Sequence, residues 1–290
     1  MTLHELFWQP FAEFAMMRRA LVGCLALALG CAPIGLFLVL RRMSLVGDAM
    51  SHAILPGAAI AFIAYGLSLT AMSLGGLVAG MVVVLAAGLV SRATQLKEDA
   101  SFAAFYLVSL ASGVLLVSKW GNNVDLMHIL FGGVLAVDDQ ALLFLASVAT
   151  ITLVTLALIY RPLVVESFDP EFMRSMGGGG AWVHFLFLIL VVLNLVAGFQ
   201  ALGTLMSVGL MMLPAAAARL WTKSLSVMLA IALALALLSG FSGLLLSYHA
   251  NLPSGPTIIL TAGLAYFISL ALGRQGGVLW RWIKGRHLEA

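Results

Sequence analysis

The chain has 290 residues, of which 62% are hydrophobic and 9% charged, and its mean hydropathy is +1.10. A soluble domain is roughly 25% charged, so 15 Lys+Arg and 12 Asp+Glu cannot coat a water-facing globule of this length. The net charge of +3 comes without any basic run interleaved with stacking aromatics. That excludes nucleic acid and assigns the excess Lys and Arg to the cytoplasmic loops of a membrane protein.

A spanning helix takes ~20 mostly apolar residues, and the sequence divides accordingly. Full-length runs cover 20–40, 47–67, 71–90, 100–118, 140–160, 181–198, 224–247 and 257–273. A short piece, 129–137, reads as re-entrant or interfacial, and 202–213 is a half-length run that ends at Pro214. The predicted fold is all-α: a single polytopic membrane domain, 1–290, with about eight transmembrane helices plus a broken half-span. Met1–Arg19 carries His4, Glu5, Glu13, Arg18 and Arg19, a pattern unlike a cleavable signal peptide. Cys24 and Cys31 stand seven apart on one apolar helix face and read as packing residues, as do the scattered methionines.

Loop charges orient the spans. Arg41/Arg42, Arg92/Lys97, Arg161/Arg174, Arg219/Lys223 and the basic residues from Arg274 onward belong in the cytoplasm. The segments 65–70, 198–200 and 248–255 carry no Lys or Arg and face outward. The two sets alternate only if 202–213 travels back inward, which puts the N-terminus outside and the C-terminus inside. Arg18/Arg19 and Lys119 run against this order.

Asp48 and His52 are the most informative residues. An ionisable group inside a membrane helix costs ~2.5–3.5 kcal/mol on insertion scales, and this span carries two. Four residues apart, they project from nearly the same face. Carboxylate and imidazole suit Zn²⁺ or Mn²⁺; the plainer reading is a hydrogen bond that packs the bundle. One chain supplies two ligands, and a two-fold dimer would set two Asp and two His on its axis. Asp125 and His128 form a weaker pair, three apart, as a second metal contact or an interfacial turn. Glu98 and Asp99 suit a helix N-terminus without further function. His184 and His249 stand alone.

After the half-span, Pro214, Ala215, Ala216, Ala217, Ala218, Arg219 and Leu220 predict a short cytoplasmic helix. Proline fits a first helical turn and alanine favours helix. It reads as a docking element for a soluble partner, or as the basic end of a kinked helix. No phosphate-binding loop of the Walker type is present, so the chain does not hydrolyse ATP by that route.

The stretch Arg41-Arg-Met-Ser-Leu-Val-Gly-Asp48-Ala-Met-Ser-His52-Ala-Ile-Leu-Pro56-Gly57 closely resembles the membrane permease of bacterial zinc/manganese/iron ABC importers. The likeness continues at Val124–Met127, Leu130–Gly132, Phe168-Asp-Pro-Glu-Phe172, 207–220 and Pro253–Pro256, and so covers nearly the whole chain in order. It departs at Gly133, where an acidic or polar residue is common, and at Ala217, where Thr is common. The resemblance implies a homodimeric permease of the bacterial cytoplasmic membrane. Separate ATP-binding cassette subunits would dock beneath it and an extracytoplasmic receptor would deliver the metal. It implies that Asp48 and His52 line the metal pathway and that 214–220 is the ATPase-coupling helix. No permanently bound cofactor is implied, only the transported ion, and the Asp125-Leu126-Met127 form resembles the zinc branch more than the manganese one. An ion-coupled secondary transporter is the alternative, but it calls for two similar halves with matching broken helices. An intramembrane metalloenzyme would want a His-Glu-x-x-His motif, which is absent.

Overall fold

The computed structural model describes residues 7–66, 68–94, 98–120, 137–175 and 180–280, and among them it contains helices and no strand. In chain order the helices are α1 (Gln9–Glu13), α2 (Ala15–Leu40), α3 (Ser44–Ala53), α4 (Leu55–Tyr65), α5 (Leu69–Ala93) and α6 (Glu98–Trp120). There follow α7 (Asp139–Phe168), α8 (Pro170–Ser175), α9 (Gly180–Leu202), α10 (Thr204–Arg219), α11 (Leu225–Ala250) and α12 (Ser254–Leu272). With α3 and α4 taken together, eight stretches are long and apolar enough to cross a membrane, which matches the expected number.

Burial sorts them into layers. The spans of α2 and α9 are 72% buried and stand at the centre, whereas α6 is 17% buried and lies at the rim. Leu27, Cys31, Phe37, Phe187, Val191, Leu210 and Met211 belong to one continuous core shared by α2, α9 and α10. Lipid supplies no hydrophobic drive between helices, so close packing of small residues has to hold them. Gly35 lies against the Met211 carbonyl where α2 crosses α10, and Gly57 and Gly75 press against each other's carbonyls where α4 crosses α5. Asn194 of α9 donates to Thr152 of α7 at 2.7 Å and satisfies a buried amide between two spans.

Side-chain bonds fix which ends lie together. Arg41 at the end of α2 donates to Ser167 at the end of α7, and Arg219 at the end of α10 donates to the Val39 carbonyl. At the opposite end Arg19 pairs with Asp139 at 2.9 Å, and Phe14 meets Tyr248. The first end also carries Arg42, Lys223 and Arg274, and the positive-inside rule makes it cytoplasmic. Arg19 at the outer end is neutralised by its carboxylate, and Arg18 is tied to the Ala12 carbonyl at 2.8 Å. Those bonds account for two cations that ran against the predicted order.

Two details differ from the sequence expectation. The chain turns back at Gly203, next to the expected outward turn at 198–200, but Pro214 does not start a new helix. Gly203 has φ +96°, a backbone that favours glycine. From there α10 runs without interruption to Arg219, with Pro214 inside it, so no separate helix begins at the proline. Four alanines after the proline carry the helix on, and tight packing lets a membrane helix keep an internal proline. The second difference is in the span 47–67. It is two helices, α3 and α4, joined at Ile54, because Pro56 cannot donate to the His52 carbonyl one turn earlier. The pair Asp125 and His128, the piece 129–137 apart from its last residue, Gly133 and the terminal basic cluster beyond Arg274 at 281–286 lie outside the described residues.

Candidate metal site

The elbow after α2 aims α3. Arg42 adopts φ +60°, reversing the chain, and Met43 donates its amide to the Leu38 carbonyl at 2.9 Å. From Ser44 the helix rises back into the bundle. It buries Val46, Gly47, Ala49, Met50 and Ala53, which leaves Asp48 and His52 on the opposite face. That division follows from the sequence, since the small and apolar positions share one side of a helical turn.

On that face His52 Nε2 lies 3.9 Å from Asp48 Oδ1, with side-chain exposures of 39% and 66%. The separation is at the edge of an ion pair and longer than a hydrogen bond. Pairing with each other therefore does not consume the two groups, and a cation between them could draw on both. Ser51, on the same helix, donates to the Asp48 backbone carbonyl at 2.7 Å and leaves the carboxylate unengaged by it.

The neighbouring wall is α6. The ring of Tyr106 stacks on that of His52 with centroids 6.4 Å apart and planes inclined 30°. Ser109 donates to the Ala53 carbonyl at 3.0 Å, and Gly113 allows the backbone of Pro56 to approach closely. Residue numbers climb together on α3–α4 and α6, so the two run side by side in the same direction. Asp99, Phe102, Ala103 and Tyr106 face Leu45, Val46, Asp48 and Ala49 across a pocket of about 110 Å³. Asp99 is seven residues before Tyr106, about 10 Å lower along the helix, on the cytoplasmic side of the Asp48/His52 pair. The sequence places Asp99 at a helix start, where dipole complementarity explains it. Its joining the pocket depends on a contact between α3 and α6, half a hundred positions apart, for which the single sequence has no local signal.

The other candidates separate. His184 is 2% exposed and takes its bond from Arg41 at 3.1 Å, away from Asp48. His249 lies at the outer end, edge-on to Tyr248, in a wide pocket with Phe14, Met16, Met17, Asn251 and Pro253. Cys24 and Cys31 are buried and unpaired with each other. Among the described residues no group of three or more His, Cys, Asp or Glu converges. In the docking segment Ala215, Ala217 and Ala218 are 0% exposed, while Ala216 is half-buried and Arg219 exposed.

Residues 13–273 match the family described as ABC 3 transport family. The manganese transport system membrane protein MntC of Halalkalibacterium halodurans is 33% identical over 98% of this chain and 96% of its own length. The manganese import system permease protein ScaB of Streptococcus parasanguinis is 34% identical over 89% of this chain and 90% of its own. Among solved structures, PsaBC from Streptococcus pneumoniae in complex with Fab superposes with a TM-score of 0.81 at 29% identity, covering 98% of this chain and 100% of that one. The chain belongs to the ABC 3 transport family.

Proposed function

We propose that the protein is the membrane permease of an ATP-driven importer of a divalent transition metal in the bacterial cytoplasmic membrane, with Mn²⁺ as the preferred cargo. One observation carries the reading: a carboxylate and an imidazole, 3.9 Å apart and both partly exposed, on one face of a membrane-spanning helix. Ionisable residues inside a membrane span mark functional sites, ion pathways among them, and this pair is partly exposed on the surface of the protomer. A second copy set against that face would cover it and double the donors to two oxygen and two nitrogen ligands. Such a set suits Mn²⁺ as well as Zn²⁺. Sequence likeness at Asp125-Leu126-Met127 leans to zinc, but both relatives carry manganese in their names, and that support is broader than one triplet.

The ion enters from an extracytoplasmic receptor, reaches Asp48 and His52, and leaves past Asp99 at the cytoplasmic mouth. Energy comes from ATP-binding cassette subunits below. Their contact is centred on α8 and not on 214–220, since three of the four alanines there are packed inside. Asp169 accepts from the Phe172 amide at 2.9 Å and starts α8, which leaves Phe168 and Phe172 64% and 51% exposed at the cytoplasmic end. Arg219 and Leu220 then flank this contact. The test is uptake into proteoliposomes holding the permease with its ATPase and receptor. ATP-dependent uptake of Mn²⁺ exceeding that of Zn²⁺ is expected. Zn²⁺ in excess reverses the metal assignment, and accumulation by the permease alone on a proton gradient replaces the importer with a secondary transporter.

A further inference from the structure

Arg41 occupies a position that neither metal binding nor ATPase docking explains by itself. Its backbone ends α2, one residue before the reversal at Arg42 and three before the helix that carries Asp48. Its side chain turns the other way, into the bundle. Nε donates to Ser167 Oγ at 2.9 Å, Nη1 lies 3.1 Å from His184 Nδ1, and the guanidinium covers the Phe187 ring at 4.8 Å. Ser167 passes the bond on to the Leu163 carbonyl at 2.6 Å, so the guanidinium is tied into the last turn of α7. Three residues beyond Ser167 the chain becomes α8. The carboxylate of Glu166, 8% exposed, packs against Gly180 at the first residue of α9 in the same corner.

A guanidinium is planar, and its fixed fork holds two partners at a set angle. Here the fork spans the end of α7 and the start of α9 while its own backbone sets the height of α3. An apolar residue could fill the same space but would not fix the register between those three elements. We propose that Arg41 is a positioning residue that couples the cytoplasmic α7–α8 corner to the metal-bearing helix α3, so that motion imposed on α8 is delivered to Asp48 and His52. This rests on the importer reading above. It differs from a packing role in what it predicts: the ratio of metal moved to ATP consumed depends on Arg41, whereas packing alone affects only the amount of folded protein.

The experiment uses the assembled permease–ATPase complex with its receptor in proteoliposomes, and reads Mn²⁺ uptake and ATP hydrolysis together. Arg41→Gln is expected to leave ATPase association and basal hydrolysis in place while metal moved per ATP falls by roughly 5- to 150-fold, the span of ordinary coupling energies. Arg41→Lys keeps the charge but not the fork and should recover only part of the ratio. Ser167→Ala removes one contact without emptying the corner and should lower the ratio less than Arg41→Gln. A wild-type ratio in Arg41→Gln overturns the proposal. If Arg41→Gln fails to assemble, a wild-type ratio in Ser167→Ala overturns it, and a lowered ratio with normal assembly supports it. Failure of the unmodified complex to couple Mn²⁺ uptake to ATP would instead remove the importer reading itself.

Discussion

Asp48 keeps two thirds of its side chain uncovered on a helix that must cross a membrane, and that exposure decides what its replacement should do. A carboxylate that held the fold would be buried and bonded, and its loss would leave a polar partner stranded. Asp48 has no such side-chain bond among the described contacts, so Asp48→Asn should fold and assemble normally. Mn²⁺ uptake should fall on the order of 100-fold, the upper range for loss of a supporting metal contact. Asp99→Asn, one step further along the route, should cost closer to about tenfold. Equal and full uptake by both variants in proteoliposomes would end the pathway assignment. Spacing alone was enough to set Asp48 and His52 on one face, because four residues make little more than one helical turn. Asp99 and Tyr106 were not legible as partners, since their placement depends on the side-by-side packing of α6 on α3.

At the level of elements, the broken span is where local sequence and packing meet. Pro56 was visible in the sequence, but it reads as a residue inside one span. Only the structure divides that span into α3 and α4. At Pro214 the opposite holds: a proline that looked like the start of a new helix is absorbed by α10, which runs unbroken from the turn at Gly203 to Arg219. A proline removes one donor in either place; what surrounds it decides whether the helix kinks or continues. At α4 the surroundings are α5, with Gly57 and Gly75 in mutual contact. A side chain at either glycine would meet backbone, which cannot rotate away. Gly75→Val is therefore expected to separate α4 from α5, destabilising the fold by about 1–3 kcal/mol or more, the cost of overpacking. Thermal unfolding in detergent would register it as a lowered Tm. Gly263, with nothing near its absent side chain, is the control, and Gly263→Ala should leave Tm unchanged. An unchanged Tm in Gly75→Val would show that the crossing is looser than its geometry.

Across the whole molecule, the ends of the helices carry different chemistry. The outer end has its arginines tied to Asp139 and to backbone carbonyls, while the cytoplasmic end leaves Arg42, Arg219 and Arg274 exposed. The number of spans could be read from hydropathy, and which helix ends share the basic side from loop charge, because both act over whole segments. Which residues of a helix stay accessible to a partner could not, because helix propensity says which residues coil and not which of them the bundle will swallow. Ala217, 0% exposed, shows the difference. Phe172 shows the converse: on a helix too short to span, at the basic end, its ring is 51% exposed among the described residues. A large ring left in water is the usual anchor of a protein interface. Phe172→Glu should thus abolish co-purification of the ATPase with the permease, since a charge buried without a partner at an interface costs far more than the lost ring contact. Metal binding by the permease should persist, because Asp48 and His52 belong to another helix. Arg219→Ala, at the flank of the same end, should weaken the association less. If Phe172→Glu retains the ATPase while a bulky charge at Ala216 expels it, the contact belongs on α10 after all.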